Sequence, residues 1–568
     1  MRYIALATDY DGTLAHEGLV SADTVKALEC LRQSGRKLLL VTGRELPDLE
    51  SIFPRLDLFD RVVAENGALL FNPQSKQSRT LAEPPPPQFV ETLRQRGVPE
   101  VRCGAVIVAM WRPHEHEAIA AIRELGLELQ VIFNKDAVMI LPSGVNKMTG
   151  LVAALRELRI SPHNVVGIGD AENDHAFLGC CECAVVVANA IPALCDKADL
   201  ITQASCGEGV VELIDRLLAD DLAGLAARLS RHDIPLGTKS SDAVALKPFG
   251  TAVLVCGHSA SGKSSLVAGV MERLAAKRCQ VCLIDPEGDF EEAEEFLATG
   301  DPKHAPSLDH LQNLLSDPEA QVTVNMVGVP VDERAGLFGR VLALVHESRM
   351  RTGRPHWLVV DEAHHMFPGE WAANGVSLAG DHGSALLVTV HPEHVSPPIL
   401  REINAVIAVG RQPATVIAEF CKVAGKDVPA TPEDDLAPGE ALLWTLDASA
   451  PVRITTEPAH MAHERHKRKY AEGKLEEARV FYFHGPEKRL NLRAQNLTVF
   501  MQTAAGIDDE TWLFHLRRGD YSQWLREAIR DAGLAEEVER VEKDESLSPA
   551  DSRSRVAHAI AERYTAPT

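Results

Sequence analysis

Two short loops of the kind that handle phosphate groups lie far apart in this single chain. Residues 9–13 read DYDGT, an acidic loop, and residues 257–265 read GHSASGKSS, a glycine-rich loop. Each follows a short apolar run, Tyr3–Thr8 or Thr251–Cys256, of the kind that forms a buried parallel strand. Ligands of open α/β sheets bind beyond the carboxyl ends of such strands. The two loops therefore predict two α/β domains in tandem, each with a phosphate site at one edge of its sheet.

Length and composition limit the class of protein. The chain has 568 residues, too many for one hydrophobic core, so we expect about three domains. No apolar run approaches the length of a bilayer-spanning helix, and two acidic residues in MRYIALATDYDG argue against a secretion signal. Eleven scattered cysteines do not suggest a disulfide framework. We therefore expect a reduced, cytoplasmic protein without a membrane partner.

The formal net charge of −23 bears on nucleic-acid binding. A strongly acidic chain does not present a broadly basic surface to a phosphate backbone, although a local basic channel stays compatible with it. Nucleic acid is therefore a possible partner that the charge does not indicate.

Polar residues stand at the ends of further predicted strands in the first domain, for which we predict residues 1–225. The strand Lys37–Val41 ends in Thr42-Gly43-Arg44, and a later strand, Asn164–Ile168, ends in GDAEND. Lys147 lies between them in SGVNKMTGL. This order of motifs resembles the haloacid dehalogenase (HAD) superfamily, specifically its Cof-like, phosphoglycolate-phosphatase-like branch. The stretches VANA and GEGV, around Asn189 and Gly207, add to the resemblance.

These residue types suit Mg²⁺-dependent hydrolysis of a phosphomonoester. A carboxylate such as Asp9 can attack phosphorus and form an aspartyl-phosphate, and Asp11 can protonate the leaving oxygen and then activate water. Thr42 and Lys147 would hold the phosphoryl oxygens. Mg²⁺ prefers hard oxygen ligands. The predicted metal ligands are Asp9, Asp11 (through its carbonyl), Asp170 and Asp174.

The segment between Thr42 and Lys147 is predicted to carry a small cap, about residues 82–145, that selects a small phosphorylated metabolite. We predict its strands within Val101–Trp111 and Glu128–Leu141, with a helix around His116–Leu125. Three side chains of this cap could face the substrate or equally belong to its surface or core: Trp111, Arg112 and His114.

A C-x-x-C pattern occurs among Cys180, Cys181 and Cys183. A zinc site would need a second pair at suitable spacing, and Cys195 and Cys206 do not provide it. We interpret the three cysteines as small core residues before the strand Ala184–Val187.

The glycine-rich loop has the sequence context of a P-loop, in a domain predicted for residues 235–456. An apolar strand precedes it, and a helix over Leu266–Ala276 follows. The backbone N–H groups of such a loop face nucleotide phosphates, its lysine contacts the β- and γ-phosphates, and its serine binds Mg²⁺. The predicted ATP-binding residues are Gly257, Ser261, Gly262, Lys263, Ser264 and Ser265, with Ser264 also a metal ligand.

Two acids follow the apolar strand Trp357–Val360. Asp361 is predicted to bind the nucleotide's metal through water, and Glu362 to polarise the attacking water. A glutamate at this position favours ATP hydrolysis over phosphoryl transfer to a metabolite. The sequence therefore predicts an ATPase site.

Two later strands, Ala385–Val390 and Ala405–Val409, also end near polar residues. Thr389 could sense the γ-phosphate, and Arg411 could act on the nucleotide of a neighbouring subunit. Arg401 competes with Arg411 for that role, and a surface salt bridge is the alternative for both.

Three motifs resemble the HerA/FtsK-like ATPases, and most closely the HerA side: DPEGDF (285–290), LVVDEAHH and LAPGEALLW. The resemblance implies a RecA-like fold, ATP as ligand or substrate, and a ring-shaped homo-oligomer. One departure from the family is Val390, which stands where a glutamine usually follows the sensor threonine. Movement along DNA coupled to ATP turnover is therefore left open.

Residues 457–568 are predicted to form a mainly helical accessory region. HERHKRKY (463–470) opens a charged helix to about Arg479, which we interpret as a solvated linker rather than a phosphate-binding strip. An aromatic stripe with helical spacing is interpreted as core. Its members are Tyr521, Trp524, Leu525 and Ala528.

Together, the sequence predicts an α/β protein with a HAD Rossmann-like core and inserted α/β cap, a RecA-like P-loop domain and a small helical region. The predicted function is a Mg²⁺-dependent phosphatase fused to an ATP-hydrolysing domain that regulates or couples it. Two alternatives stay open. One is a kinase–phosphatase, against which Glu362 and DPEGDF argue. The other is a nucleotide-gated, DNA-associated assembly, which the HerA resemblance favours and the net charge opposes.

Overall fold

The computed structural model describes residues 1–134, 136–225, 228–258, 261–290, 295–371, 378, 383–459, 480–486, 490–529, 531–544 and 546–564. The chain divides into two compact units. The larger comprises Met1–Lys263, Val270–Pro286 and Glu295–Glu457, and the smaller holds the described residues of Ser264–Gly269, Glu287–Glu294 and Pro458–Thr568. The division into three domains at 225–235 and 457 stays a prediction. Within the described ranges, no helix is long and apolar enough to cross a membrane.

The N-terminal sheet of the larger unit has eight strands in the order β12-β11-β10-β1-β2-β3-β4-β5. The strands from β12 to β3 run parallel, and β4 and β5 are antiparallel additions at the edge. Their bounds are β1 Ala5–Thr8, β2 Lys37–Val41, β3 Arg61–Ala64, β4 Leu69–Asn72, β5 Gln77–Thr80, β10 Val165–Gly169, β11 Cys183–Val186 and β12 Leu200–Ile201.

Helices cover both faces of this sheet, which is why its central strands are apolar throughout. Leu38 and Leu40 of β2 enter one core cluster, whereas Leu39 and Val41 enter the other. The helices are α1 Ala22–Gln33, α2 Leu46–Ile52, α5 Lys147–Leu158, α6 His175–Cys180, α7 Pro192–Cys195 and α8 Cys206–Asp220. The predicted strand Lys37–Val41 is confirmed at both ends.

The cap is a separate four-stranded antiparallel sheet in the order β6-β7-β9-β8, packed with two helices. Its elements are α3 Pro87–Gln95, β6 Arg102–Cys103, β7 Val108–Trp111, α4 Glu115–Leu125, β8 Leu129–Asn134 and β9 Ala137–Pro142. Each of the two predicted strand regions is in fact two strands. The first region is interrupted where the backbone around Val106 bends to reach a buried carboxylate, and the second is a hairpin.

The second sheet has eleven strands in the order β14-β13-β23-β22-β21-β15-β20-β19-β16-β18-β17. The strands from β21 to β17 are parallel, and the other four are antiparallel. Their bounds are β13 Ile234–Lys239, β14 Asp242–Leu246, β15 Ala252–Cys256, β16 Val281–Asp285, β17 Phe296–Thr299, β18 Gln321–Asn325, β19 Trp357–Val360, β20 Ser384–Thr389, β21 Ala405–Val409, β22 Glu440–Thr445 and β23 Val452–Thr456.

The helices that accompany this sheet are α9 Lys263–Ala276, α10 Leu308–Ser316, α11 Val331–Thr352, α12 Ala363–Met366, α13 Pro397–Glu402 and α14 Pro413–Ala424. The helix predicted from Leu266 begins three residues earlier, at Lys263, because Gly262 takes a left-handed conformation (φ 97°) and serves as its N-cap. The glycine-rich loop therefore leads directly into α9.

A buried polar cluster joins the two sheets of the larger unit. Glu182 accepts hydrogen bonds from Arg2 (2.7 Å) and from His163 Nδ1 (2.8 Å). The other ring nitrogen of His163 faces the backbone carbonyl of Lys277, just past the end of α9, at 2.6 Å. Both ring nitrogens face oxygen acceptors, an arrangement that favours the doubly protonated imidazolium. Burial opposes this charge, but Cys279 and Glu182 outweigh it and raise the pKa of His163 well above its usual value.

The smaller unit contains a hairpin and helices around their own apolar core. Its elements are β24 Phe481–Phe483, β25 Leu492–Ala494 and helices Leu497–Gly506, Asp509–Leu516, Asp520–Trp524, Ala532–Glu542 and Pro549–Tyr564. The stripe from Tyr521 to Ala528 is buried, which confirms its interpretation as core. The charged helix predicted from residue 463 to Arg479 lies outside the described residues.

Candidate active site

Asp9 stands at the carboxyl end of β1 and is 4% exposed. The loop after it turns through Gly12, which has a φ of 81°. A Cβ at this glycine would collide with the carboxylate of Asp170, which follows β10. A glycine is therefore required both by the left-handed backbone and by the close approach of the GDAEND motif to the DYDGT loop.

Lys147 lies between Asp9, the candidate nucleophile, and Asp174 of the GDAEND motif. It is the first residue of α5 and is 1% exposed. Its ammonium donates to Asp9 Oδ1 (2.5 Å) and to Asp174 Oδ1 (2.6 Å). Burial disfavours the ammonium charge, but the carboxylates of Asp174 and Asp9 outweigh it and raise the pKa of Lys147. Lys147 is therefore a fixed positive charge at the site.

Three buried carboxylates form a group that could hold a cation. One oxygen of each of Asp9, Asp170 and Asp174 lies within 4.8 Å of the others. Asp170 accepts a hydrogen bond from the Thr13 hydroxyl (3.0 Å), and Asp174 accepts from the backbone N–H groups of Asp170 and Ala171, both at 2.9 Å. Hard oxygen donors at this spacing fit Mg²⁺.

Burial and the neighbouring Asp174 raise the pKa of Asp9 to about 8, despite the opposing charge of Lys147. Two carboxylates in a buried site repel each other, so one favours its protonated form. A cation bound among the three carboxylates would offset this repulsion and keep Asp9 ionised.

Asp11 lies at the entrance, where Arg44 binds it through two hydrogen bonds. Arg44 Nε donates to Oδ2 at 2.6 Å, and the terminal nitrogen donates to Oδ1 at 2.7 Å. Arg44 also pairs with Asp48 at 2.6 Å. The planar guanidinium suits this bidentate contact. Arg44 belongs to the segment Thr42-Gly43-Arg44 that follows β2, but the sequence does not predict its role in orienting Asp11.

Thr42 follows β2 directly and is buried, and the cap covers the neighbouring glycine. A Cβ on Gly43 would lie 2.9 Å from Met139 Cε, a side chain of cap strand β9. Glu65 is 1% exposed and accepts hydrogen bonds from the backbone N–H groups of residues 105–107 at 2.7–3.0 Å. The cap is thus fastened to the core by one buried carboxylate. Among the predicted cap residues, Trp111 is 47% exposed and Arg112 stacks on Phe133 within the cap.

Asn189 holds the loop after Asp9 through its side-chain amide. Its side-chain amide donates to the carbonyl of Gly12 (2.8 Å), and its side-chain oxygen accepts from the N–H of Cys206 (2.8 Å). The stretch VANA was singled out in the sequence, but the contact itself joins residues 177 positions apart.

The glycine-rich loop follows β15 at the carboxyl edge of the second sheet. Lys263 is buried and donates to the backbone carbonyls of Gly257 and His258, both at 2.8 Å. The Ser261 hydroxyl is buried without a hydrogen-bond partner among the described residues. Ser259 and Ala260, within this loop, lie outside the described residues. Ser264 and Ser265 follow in the first turn of α9.

The predicted catalytic acids of the second sheet stand at the end of β19. Asp361 is 4% exposed and accepts a hydrogen bond from the N–H of Glu362 (3.0 Å). Glu362 has a φ of 43°, a strained conformation for a residue with a side chain, of the kind found at functional sites. β20 separates β19 from β15, so these acids and the glycine-rich loop share one edge. Arg411 is exposed just after β21, the other neighbour of β15.

The cysteines agree with their structural interpretation. Cys181 and Cys183 are buried and Cys180 is partly buried, and all eleven cysteines of the chain are free thiols. Within the described residues, no cluster with metal-ligand spacing contains a cysteine.

Comparisons with known proteins match the N-terminal part of the chain. The family model of haloacid dehalogenase-like hydrolases matches residues 6–101 and 116–214. A phosphoglycolate phosphatase of Methanothermobacter thermautotrophicus is 30% identical over 222 residues, which cover 38% of this chain and 98% of that protein. Phosphoglycolate phosphatase 2 of Saccharolobus solfataricus is 28% identical over 220 residues, covering 38% of this chain and 93% of the relative. The chain therefore belongs to the haloacid dehalogenase-like hydrolases through its N-terminal part.

A structural comparison covers the same part. A crystal structure of a haloacid dehalogenase-like hydrolase from Bacteroides thetaiotaomicron aligns with a TM-score of 0.34 and 19% identity, over 38% of this chain and 99% of that one.

Proposed function

We propose that the N-terminal part of the chain is a Mg²⁺-dependent phosphomonoester hydrolase that acts through an aspartyl-phosphate on Asp9. The observation that carries the proposal is the buried group of Asp9, Asp170, Asp174 and Lys147. It combines a nucleophilic carboxylate, oxygen donors for a cation and a fixed ammonium within hydrogen-bond distance. Carboxylates of this kind form covalent phosphoryl intermediates.

The residues of the chain divide the work. The Asp9 carboxylate attacks phosphorus, and the bond to the leaving oxygen breaks as Asp11 gives that oxygen a proton. Asp11 then takes a proton from the water that hydrolyses the acyl phosphate. Lys147 and Thr42 bind phosphoryl oxygens during both transfers. Asp9, the Asp11 carbonyl, Asp170 and Asp174 would hold Mg²⁺, which would supply charge neutralisation for the phosphoryl group.

Two features support a small substrate. The cap is a compact sheet with two helices, and its strand β9 brings Met139 against Gly43 beside the site. The relatives named phosphoglycolate phosphatases are covered almost over their full length. We therefore propose a small phosphorylated metabolite as substrate, with 2-phosphoglycolate as the first compound to test.

A phosphometabolite panel with Mg²⁺ tests this function. Wild-type chain should release phosphate from 2-phosphoglycolate or another small member of the panel, and Asp9→Asn should not. Asp23→Asn is a matched control, because it removes an exposed carboxylate of α1 that pairs with Lys26, without touching the buried group or Arg44. Equal phosphate release by wild type and Asp9→Asn would contradict the proposal.

We further propose that residues 235–456 bind and hydrolyse ATP as a HerA-like domain, with the nucleotide's Mg²⁺ held near Asp361. Three observations support this proposal. Lys263 is buried and donates to loop carbonyls, and the Ser261 hydroxyl of the same loop is buried. Asp361 and Glu362 lie two strands away at the same sheet edge. In this proposal Glu362 positions water, and Arg411 acts on the nucleotide of a neighbour in a homo-oligomeric ring. ATP turnover then regulates the phosphatase through the buried cluster of His163, Glu182 and Lys277.

Two substitutions test the ATPase independently of the phosphatase. Lys263→Ala should abolish ATP hydrolysis by removing the contact to the phosphates, and Glu362→Gln should retain ATP binding while hydrolysis falls. ATP hydrolysis that survives both changes would contradict the site. Size-exclusion with light scattering, with and without ATP, would test the ring.

A further inference from the structure

Four histidines gather where β19 and β20 end. The two strands are parallel neighbours, so their carboxyl ends meet at one edge of the sheet. His364 and His365 lie on α12 after β19, and His391 and His394 lie in the turn after β20. The rings follow one another, with centroids 4.1 Å apart for His364–His365, 5.5 Å for His364–His391 and 5.1 Å for His391–His394.

A carboxylate joins the outer part of this cluster. Glu393 Oε1 lies 3.0 Å from His391 Nδ1 and 3.9 Å from His394 Nε2. One ligand atom from each of these residues lies within 4.8 Å of the other two. In a tetrahedral Zn²⁺ site, bonds of 2.0–2.1 Å set neighbouring ligand atoms about 3.3 Å apart. The distances of 3.0 and 3.9 Å from Glu393 Oε1 bracket that spacing.

His364 is the least exposed of the four histidines. Its Nδ1 lies 3.0 Å from the hydroxyl of Thr389 and 3.4 Å from Glu362 Oε2.

An ordinary histidine–carboxylate pair looks different, as His304 and Asp301 illustrate. Their atoms are 2.8 Å apart, but the pair stands alone and outside the clusters with metal-ligand spacing. In the cluster at the ends of β19 and β20, by contrast, His391 and His394 share the carboxylate of Glu393, and the imidazole of His364 lies next to His391. Imidazole and carboxylate donors together suit Zn²⁺, Ni²⁺ or Cu²⁺ better than Mg²⁺, which prefers oxygen alone.

We propose that His391, Glu393 and His394 form a binding site for a transition-metal ion of the Zn²⁺ class, with His364 at its inner side. The site is distinct from the carboxylate group around Asp9 and from the proposed nucleotide metal near Asp361. Binding of the ion does not depend on the proposed ATPase activity.

An effect on ATP turnover does rest on the proposed ATPase function. The backbone N–H of His391 donates to the Thr389 hydroxyl at 3.0 Å, and that hydroxyl is also the partner of His364. A metal that draws His391 and His364 together therefore changes the surroundings of Thr389 and Glu362. ATP hydrolysis should then respond to micromolar Zn²⁺ in the presence of excess Mg²⁺.

Metal titration of the full chain tests the site. Co²⁺ is the probe, because its visible absorption reports imidazole coordination, and excess Mg²⁺ occupies the all-oxygen sites. Wild type should bind one more Co²⁺ per chain than His391→Ala/His394→Ala, or bind it at least about tenfold more tightly. His304→Ala is the matched control and should behave as wild type. Glu393→Gln should weaken binding while keeping both rings.

The outcomes separate clearly. Equal Co²⁺ binding and equal spectra for wild type and the double variant, with both folded by circular dichroism, overturn the proposal. An equal loss in His304→Ala also overturns it, because binding would then follow surface histidines in general. Loss of Co²⁺ binding without any change in ATP hydrolysis supports the site and rejects the effect on turnover. Failure of Lys263→Ala to reduce ATP hydrolysis concerns only the proposed ATPase.

Discussion

Two buried lysines stand at the two phosphate loops, and their partners differ. Lys147 donates to the carboxylates of Asp9 and Asp174, whereas Lys263 donates to the backbone carbonyls of Gly257 and His258. Charge-assisted bonds in a buried site hold a side chain firmly, and bonds to neutral carbonyls exchange at lower cost. The first site is therefore rigidly assembled around its own charges, whereas in the proposed nucleotide site Lys263 would exchange its bonds for an incoming phosphate at lower cost.

The largest expected effect lies in the first site. Asp9→Asn should lower phosphatase turnover by about 10⁴-fold or more, because the change removes the proposed acceptor of the phosphoryl group. ATP hydrolysis should stay within twofold of wild type if the two sites are chemically separate. A twofold change in rate corresponds to about 0.4 kcal/mol in the activation barrier. Steady-state assays of both activities on one preparation measure this. A parallel loss of both activities would contradict the separation.

The lysines should also differ in their effect on stability. Lys147→Ala leaves the carboxylates of Asp9 and Asp174 buried without their partner and should lower the free energy of unfolding by about 3–5 kcal/mol. Lys263→Ala should cost at most about 2 kcal/mol, since the hydrogen bonds described for it go to neutral carbonyls. Urea denaturation in Mg²⁺-free buffer measures both. Equal losses would remove the contrast between the sites.

The cluster between the two sheets should make stability depend on pH. The pKa of His163 is raised in the folded chain, so its contribution is complete below the unfolded value of about 6.5 and is lost as pH rises through the folded value. The free energy of unfolding should fall by up to about 1.4 kcal/mol per pH unit above pH 6.5. The pKa of Glu182 is lowered, because His163 outweighs its burial, so Glu182 stays ionised in this window.

Thermal or urea unfolding from pH 6 to pH 9 tests this dependence. His163→Gln should flatten the profile, and His304→Gln, an exposed histidine in an ordinary ion pair, should leave it unchanged. An unaltered slope in His163→Gln would show that other groups cause the pH dependence.

The smallest expected effect concerns the support of the Asp9 loop. Asn189→Ala removes the hydrogen bond to the carbonyl of Gly12 and should lower phosphatase kcat/KM about fivefold, equivalent to about 1 kcal/mol. Asn72→Ala is the matched control, because Asn72 accepts hydrogen bonds only from a turn of the exposed β4–β5 hairpin in the contacts described. Equal effects from both changes would deny Asn189 a role at the site.

Local patterns predicted much of this molecule. The buried strands were recognised because parallel strands covered on both faces are apolar throughout, as in Lys37–Val41 and Trp357–Val360. The acids and glycines follow these strands directly, so their position at the sheet edge was also predictable. The start of α9 was placed three residues late, because a left-handed Gly262 leads into the helix without any apolar signal.

Contacts between distant residues were not predictable in this way. Arg44 binds Asp11, Glu65 fastens the cap, and His163 meets the carbonyl after α9, each through residues that carry no periodic pattern. The histidines after β19 and β20 belong to two separate motifs, and only the strand order brings them together. Such pairings depend on topology, which single motifs do not encode.

The central claim is that Asp9 carries the phosphoryl group during turnover. Rapid acid quench of the full chain with a ³²P-labelled substrate and Mg²⁺, followed by peptide mapping, tests it most directly. We predict one acid-stable, base-labile label on the peptide containing Asp9, present in wild type and absent in Asp9→Asn. A label on another peptide, or hydrolysis at full rate by Asp9→Asn, would contradict the account.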